Sequence, residues 1–273
     1  HIIDGVLVMS KNKVNSGVKQ SYIYDAAKRF VNHKLAITGT IILLLLIIIV
    51  IFLPMIMHLD PYSINRGLPF SAPTKDFARL IYGGRVSLLV GFLSTLINIG
   101  IGVPLGLIAG YYGKTADAII MRIADVFMCF PSIILILVLV SIIGPSIKSV
   151  IFIIGIMGWP EFVRLIRGNV LSISQKEYVE SARAIGAKDS RIIFRYLLPN
   201  SLSPIIVAAT FRVAGAILQE SSLSFLGMGV QPPQASWGNM LNGAQSLTVL
   251  TARPWVWIPP GLMLVITICC VNF

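Results

Sequence analysis

Long apolar runs, most of them free of charge, recur along the chain, and their lengths decide what they are. From Leu35 to Met57 no charged residue occurs, and a helix needs about 20 residues to cross the hydrocarbon of a bilayer. Val86 to Tyr112 is a second such run. A third is centred on Val126 to Ile143, where Pro131 is expected to introduce a kink. The fourth covers Ser149 to Trp159 and must continue towards Leu171, because the shorter stretch would not span. Leu202 to Leu226 and Trp255 to Phe273 complete the set; the last stops without a basic tail, as a shortened end would. The pattern predicts an all-α, polytopic membrane protein with about six transmembrane helices. It divides into a leader and cytoplasmic tail (1–34), a first span (35–57), an outer loop (58–85) and a core transmembrane domain (86–273). The stretch from Gly227 to Pro254 is rich in Gly, Pro and Trp. It reads as a short re-entrant or interfacial piece, with Trp237, Trp255 and Trp257 near the lipid headgroups.

Composition supports this reading. Hydrophobic residues make up 56% of the 273 positions, against roughly 45–50% in soluble domains. The net charge of +11 does not indicate nucleic acid, since no folded soluble domain is left to present a basic face. Fifteen lysines and arginines fall in the N-terminal tail and the loops on its side, and six on the other side. That asymmetry places both termini in the cytoplasm. The first eight residues, HIIDGVLV, precede Met9 and are set aside as foreign to the fold. Ser10 to Lys34 is too long for the basic region of a signal peptide, and the following run is too long for its apolar region.

Candidate chemistry is sparse. Cys129, Cys269 and Cys270 lie in apolar runs without CxxC spacing and read as buried thiols. His1, His33 and His58 have no second ligand at helical spacing, so no metal site is expected. The run GLIAGYYGKT (Gly106 to Thr115) ends like a phosphate-binding loop, but Ile108 stands where that loop needs glycine, and the run leaves an apolar span rather than a strand. Arg122 and Asp125 are placed to pair at i and i+3.

One block is different. EYVESARAIGAKDSRIIFRYLLPN, Glu177 to Asn200, is dense in charge between two spans. A helix over about 175–189 would align Tyr178, Ala182 and Ile185 as an apolar stripe. Ser174 would be its N-cap, with Glu177 completing a capping box. Gly186 lowers helix propensity, which suits a turn or a close approach. Two readings fit: a solvated loop helix, or a docking helix for a cytoplasmic partner. Its basic flank, Arg191 and Arg195, would equally suit anionic lipid.

Glu180, Ser181, Ala182, then Gly186, then Leu198-Pro199 have the spacing of the EAA loop of ABC importer permeases. Ser181 replaces an alanine of that motif, and Tyr196 stands where it has isoleucine. RLIYGGRVSLLVG (Arg79 to Gly91), MRIADVFMCFPSIIL (Met121 to Leu135), AGAILQESSLSFLGMGVQPPQASWGNML (Ala214 to Leu241) and PWVWIPPGLML (Pro254 to Leu264) resemble the oligopeptide, dipeptide and nickel permease class, in particular its second permease subunit. The family usually carries a GTDxxGRD-like stretch before RLIYG; here PTKDF runs straight into ARLIYG.

The resemblance implies a type I ABC importer permease fold in the bacterial inner membrane. It implies a homologous second permease subunit, two cytoplasmic ATPase subunits and an extracellular solute-binding protein as partners. ATP and Mg would be held by the ATPases, with no cofactor and no catalytic residue on this chain. Glu180, Ser181, Ala182 and Gly186 would dock on the ATPase; helix geometry adds Glu177, Arg183 and Lys188. The cargo would be a peptide, with nickel or a metal chelate as the alternative. A stand-alone secondary transporter would show inverted repeats or several intramembrane acids, and neither is seen. Arg212 and Glu220 are the deepest charges of the fifth span. Eight residues apart is ~12 Å of rise, too far for a direct pair. Either they line the translocation path, Arg212 meeting an anionic group such as a peptide carboxylate, or neighbouring helices satisfy them.

Overall fold

The structure, a computed structural model, describes residues 34–57 and 73–272. Most of the tail expected at 1–34, and the part of the expected outer loop at 58–72, lie outside the described residues. Helix α1 is Lys34–Met57, α2 is Pro73–Tyr112, α3 is Lys114–Met128 and α4 is Ser132–Ile143. Helices α5 (Ile147–Met157) and α6 (Trp159–Ser174) form one near-continuous span. Then come α7 (Glu177–Ala184) and the short α8 (Asp189–Ile192). A π-helical turn, Ile193–Leu197, leads into α9 (Leu198–Phe225). The outer segment carries α10 (Trp237–Asn242) and α11 (Leu247–Ala252), and α12 is Pro254–Asn272. Five of these stretches are long and apolar enough to cross a membrane, or six if α3 and α4 count as one bent span.

The axis of the bundle is α2, and it is longer than its hydropathy suggests. Its 40 residues rise ~60 Å, twice the hydrocarbon thickness. The sequence pattern placed residues 73–85 in a loop because charge interrupts the run there. They are helical because tertiary contacts hold them. Ala78, Leu80 and Ile81 are buried, and the Trp237 indole donates to the Leu80 carbonyl at 3.0 Å. Arg85 turns back onto α1, its Nε donating to the Val50 carbonyl at 2.7 Å. Trp237 is fully buried rather than at the headgroups, because its one polar atom finds that carbonyl inside the protein. Trp255 remains exposed.

Close helix packing sets the inner half. Gly102, Gly106 and Gly110 recur every four residues on α2 and face Phe162, Ile166 and Val170 on α6. A Cβ on Gly106 would stand 2.7 Å from the Ile166 Cβ. Small residues at this spacing let two backbones approach, which is how helices associate where no water is expelled.

Pro131 does more than kink the third span. Helices α3 and α4 meet at 83°. Proline cannot continue the hydrogen-bond ladder, and the residue before it is pushed from the helical region. Helix α4, 12 residues, rises only ~18 Å. Helix α3 lies along α6, tied by two ion pairs. Arg167 grips Asp117 with two donors, Nη2 to Oδ2 at 2.6 Å, and Arg164 reaches Asp125 at 2.6 Å. Asp125 therefore pairs across helices and not with Arg122, because the neighbouring helix brings a guanidinium onto it. Cys129 and Cys269 are exposed rather than buried: in a span, an apolar run also faces lipid or a partner.

The π turn answers Pro199. A proline there offers no N–H to the Arg195 carbonyl and its ring crowds that carbonyl; one wider turn relieves both.

Gly106→Ala should destabilise the purified protein by about 1–3 kcal/mol through overpacking. Gly100→Ala, on the open face of the same helix with nothing within 4 Å, should be neutral or stabilising by up to about 1 kcal/mol. Thermal unfolding in detergent reads both signs.

Candidate functional site

Two features stand out: the charged segment between α6 and α8, and a polar centre inside the bundle. The charged segment is built from its inner face. Val179 and Ala182 of α7 are buried. Val179 packs with Ile173, Val170, Ile192 and Leu197 under the bundle. The helix is shorter than expected and ends in a Schellman motif. Gly186 has φ +77, its N–H donates to the Arg183 carbonyl at 3.0 Å, and the Ala187 N–H donates to the Ala182 carbonyl at 3.0 Å. A left-handed residue at this position is ordinarily glycine.

Three local expectations change. The N-cap is Lys176, without a side-chain cap, and the Ser174 hydroxyl donates to the Leu171 carbonyl instead. The capping box therefore does not form. The apolar stripe runs through Val179 and Ala182, while Ile185 is 85% exposed. The helix stops at Ala184, so its periodicity does not carry to Ile185. Arg183 folds back, its guanidinium 5.5 Å from the centre of the Tyr111 ring.

Tyr111 was invisible to motif reading. It is the second-last residue of α2, and its hydroxyl donates to Asp189 at 2.7 Å. One side chain thus touches residues on both sides of the Gly186 turn. A tyrosine at the end of a long apolar run, close to Lys114, is the one sequence signal that could have found it. Of the expected docking residues, Glu177, Glu180, Ser181, Gly186 and Lys188 are exposed, Ala182 faces inward, and Arg183 covers Tyr111. Glu177 and Glu180 have no ion-pair partner among the described residues. They sit in the first turn of α7, where carboxylates favour the positive end of the helix dipole.

The polar centre begins at the break between α5 and α6. The last four carbonyls of a helix lack partners within it, and Pro160 cannot donate back to Ile156. Asn98 on α2 donates to the Gly155 carbonyl at 2.8 Å and the Ser94 carbonyl at 2.6 Å. Its oxygen then accepts from Arg212 Nε at 2.8 Å. Arg212 Nη2 also reaches the Ile154 carbonyl at 3.4 Å and Gln219 at 3.3 Å. Gly158 leaves the room: a Cβ there would stand 2.6 Å from Arg212 Nε. The remaining nitrogen, Nη1, is 3.9 Å from Glu161. Both line a cavity of about 320 Å³ with Phe162, Ala208, Phe211 and Gly215.

Glu220 does not reach that cavity. It is fully buried and accepts from Ser87 at 2.8 Å and Ser224 at 2.7 Å. Those hydroxyls in turn accept from the Trp237 N–H at 3.4 Å and the Val230 N–H at 3.0 Å. The carboxylate is enclosed by serines that hold the outer segment onto α2 and α9. It is an anchor rather than a path-lining group in this conformation, because every direction from it is filled. Among the described residues, no three His, Cys, Asp or Glu converge as metal ligands would.

Comparison with known proteins gives the setting. The model of the binding-protein-dependent transport system inner membrane component matches residues 102–273. That of the N-terminal TM domain of oligopeptide transport permease C matches residues 21–73. A Brucella ovis protein named as a peptide permease is 42% identical over 91% of this chain and 86% of its own length. The dipeptide transport system permease of Alkalihalophilus pseudofirmus is 38% identical over 89% and 84%. Among solved structures, the inward-facing MetNI methionine ABC transporter superposes with a TM-score of 0.61 at 22% identity, over 75% of this chain and 95% of that one; it shares the fold. The chain belongs to the family of binding-protein-dependent transport system inner membrane components, the multi-pass permease subunits of ABC importers.

Proposed function

We propose that this permease forms half of a peptide translocation pathway, working beside a homologous second permease, above two cytoplasmic ATPases and below an extracellular solute-binding protein. Peptide cargo is supported by the names of the relatives and by the match to an oligopeptide permease domain. ATP and Mg belong to the ATPases, and both termini lie in the cytoplasm with α7.

The observation that carries the reading is the two-sidedness of α7. Its inner face is fixed to the bundle by Val179 and by the Tyr111 contacts, while its outer face offers Glu177, Glu180, Ser181 and the apolar Ile185 to a partner. A solvated loop helix has no need of such bracing. Closure of the ATPase dimer on ATP would move α7 and its counterpart on the other permease together. The long helices would carry that movement as rigid bodies to the outer side, giving alternating access. Arg212, held inside the bundle with Nη1 towards the cavity, faces the cargo.

Gly186→Pro removes the left-handed turn and an N–H bond, and Glu180→Lys reverses a charge on the docking face. Both should abolish transport and uncouple ATPase stimulation, with membrane insertion intact. Full transport by both would refute docking through α7.

Tyr111→Phe keeps the ring under Arg183 but loses the bond to Asp189, about 0.5–1.5 kcal/mol at this exposed position. Peptide moved per ATP hydrolysed by the reconstituted importer should fall several-fold, and Asp189→Asn, which can still accept, should be milder than Asp189→Ala. Equal behaviour of the two Asp189 variants would remove the brace from the mechanism.

A further inference from the structure

The donor count of Arg212 leaves something over. A guanidinium carries five N–H donors. Nε and Nη2 are engaged by Asn98, Ile154 and Gln219. Nη1 has only Glu161 at 3.9 Å, beyond hydrogen-bond distance. Glu161 has no other polar partner among the described residues. The two differ in freedom: the Arg212 side chain is 10% exposed and held on three sides, while that of Glu161 is 63% exposed. Both line the cavity of about 320 Å³, whose other walls are Phe162, Ala208, Phe211 and Gly215.

We propose that this cavity is a subsite for the amino-terminal residue of a transported peptide. The α-ammonium is held by the Glu161 carboxylate, and the first carbonyl oxygen accepts from Arg212 Nη1. The inference rests on the peptide-importer reading above. The chemistry of the gap selects this end of a peptide. An ammonium and the carbonyl oxygen of the same residue are close neighbours, one a donor and one an acceptor. They fit a carboxylate and a guanidinium too far apart to bond each other. A free carboxylate would be repelled by Glu161, and a simple cation by Arg212. The first side chain rests against Phe211 and Phe162. The volume is at the low end for small-molecule pockets, about 300–1,000 Å³, so it takes the end of a peptide and not its length. With one charge held by three partners and the other open to solvent, the hold is loose enough to release, as a transport pathway requires.

The test is single-turnover transfer by the complete importer in proteoliposomes. The solute-binding protein is preloaded with a labelled tripeptide, either with a free amino terminus or N-acetylated, so that its own selectivity drops out. Glu161→Gln should lower transfer of the free peptide about tenfold and leave the acetylated one unchanged, with Glu161→Asp intermediate. A C-terminally amidated peptide should follow the free one. An equal fall for free and acetylated peptides, or no fall for either, overturns the subsite. Should Glu161→Gln fail to assemble, Glu161→Asp decides: the free-to-acetylated ratio must drop relative to the unsubstituted importer, and an unchanged ratio overturns it. If the unsubstituted importer moves no peptide at all, the peptide reading fails and the subsite goes with it.

Discussion

Carbonyl groups at the end of α5 are the constraint around which the bundle is arranged. A helix that stops inside a span leaves acceptors where lipid can offer no donor, at a cost of several kcal/mol each. The Gly158-Trp159-Pro160 sequence forces such a stop, since proline has no N–H to return. Asn98 and Arg212 supply donors to two carbonyls of the last turn before the break, those of Gly155 and Ile154. Each is then fixed by the other, through the bond from Arg212 Nε to the Asn98 oxygen. The guanidinium is therefore not an isolated charge in the membrane. Its burial and the helix break offset one another, and neither is tolerable alone.

The same logic recurs at the outer end with the opposite sign. Glu220 is an acceptor in need of donors, and serine hydroxyls provide them. Each hydroxyl also accepts from a backbone N–H of the outer segment, so the carboxylate orders 230–237 at one remove. Two charges of the same helix, both deep, thus do different work. Arg212 keeps an open nitrogen beside a cavity, whereas both carboxylate oxygens of Glu220 already accept hydrogen bonds.

Spans were legible because hydropathy and length suffice to find them; partners were not, because they come from other helices. The ends of α1, α9 and α12 fall close to the ends of the apolar runs. The outer extension of α2 was missed since Asp76, Arg79 and Arg85 break its apolar run, and only contacts such as that of Trp237 with Leu80 hold it helical. Pro131 announced a bend, but its 83° depends on how α3 is pulled onto α6 by Arg164 and Arg167. In the charged segment, the position of Gly186 was legible as a turn, while the inward face was misassigned by one residue, Val179 for Tyr178. An eight-residue helix is too short for periodicity to fix its phase. Asn98 and Tyr111, polar residues at the middle and end of a long apolar run, belong to no motif that spacing reveals.

Those two residues, with Ser87, lie on one helix, and this gives the proposed transmission a physical route. Tyr111 meets the charged segment at Asp189, Asn98 meets Arg212 beside the cavity, and Ser87 meets the carboxylate that orders the outer segment. From Ser87 to Tyr111 is ~36 Å along α2, more than the hydrocarbon thickness. Along part of that length the glycine seam packs α2 closely against α6. A displacement imposed at α7 through Tyr111 would reach Asn98 and Ser87 along α2, across the turn that holds Pro104. Neither contact can lengthen without stranding a charge. On the proposed reading of α7, the polar contacts that make the buried charges tolerable are also the ones that would carry its movement to the cavity and the outer segment.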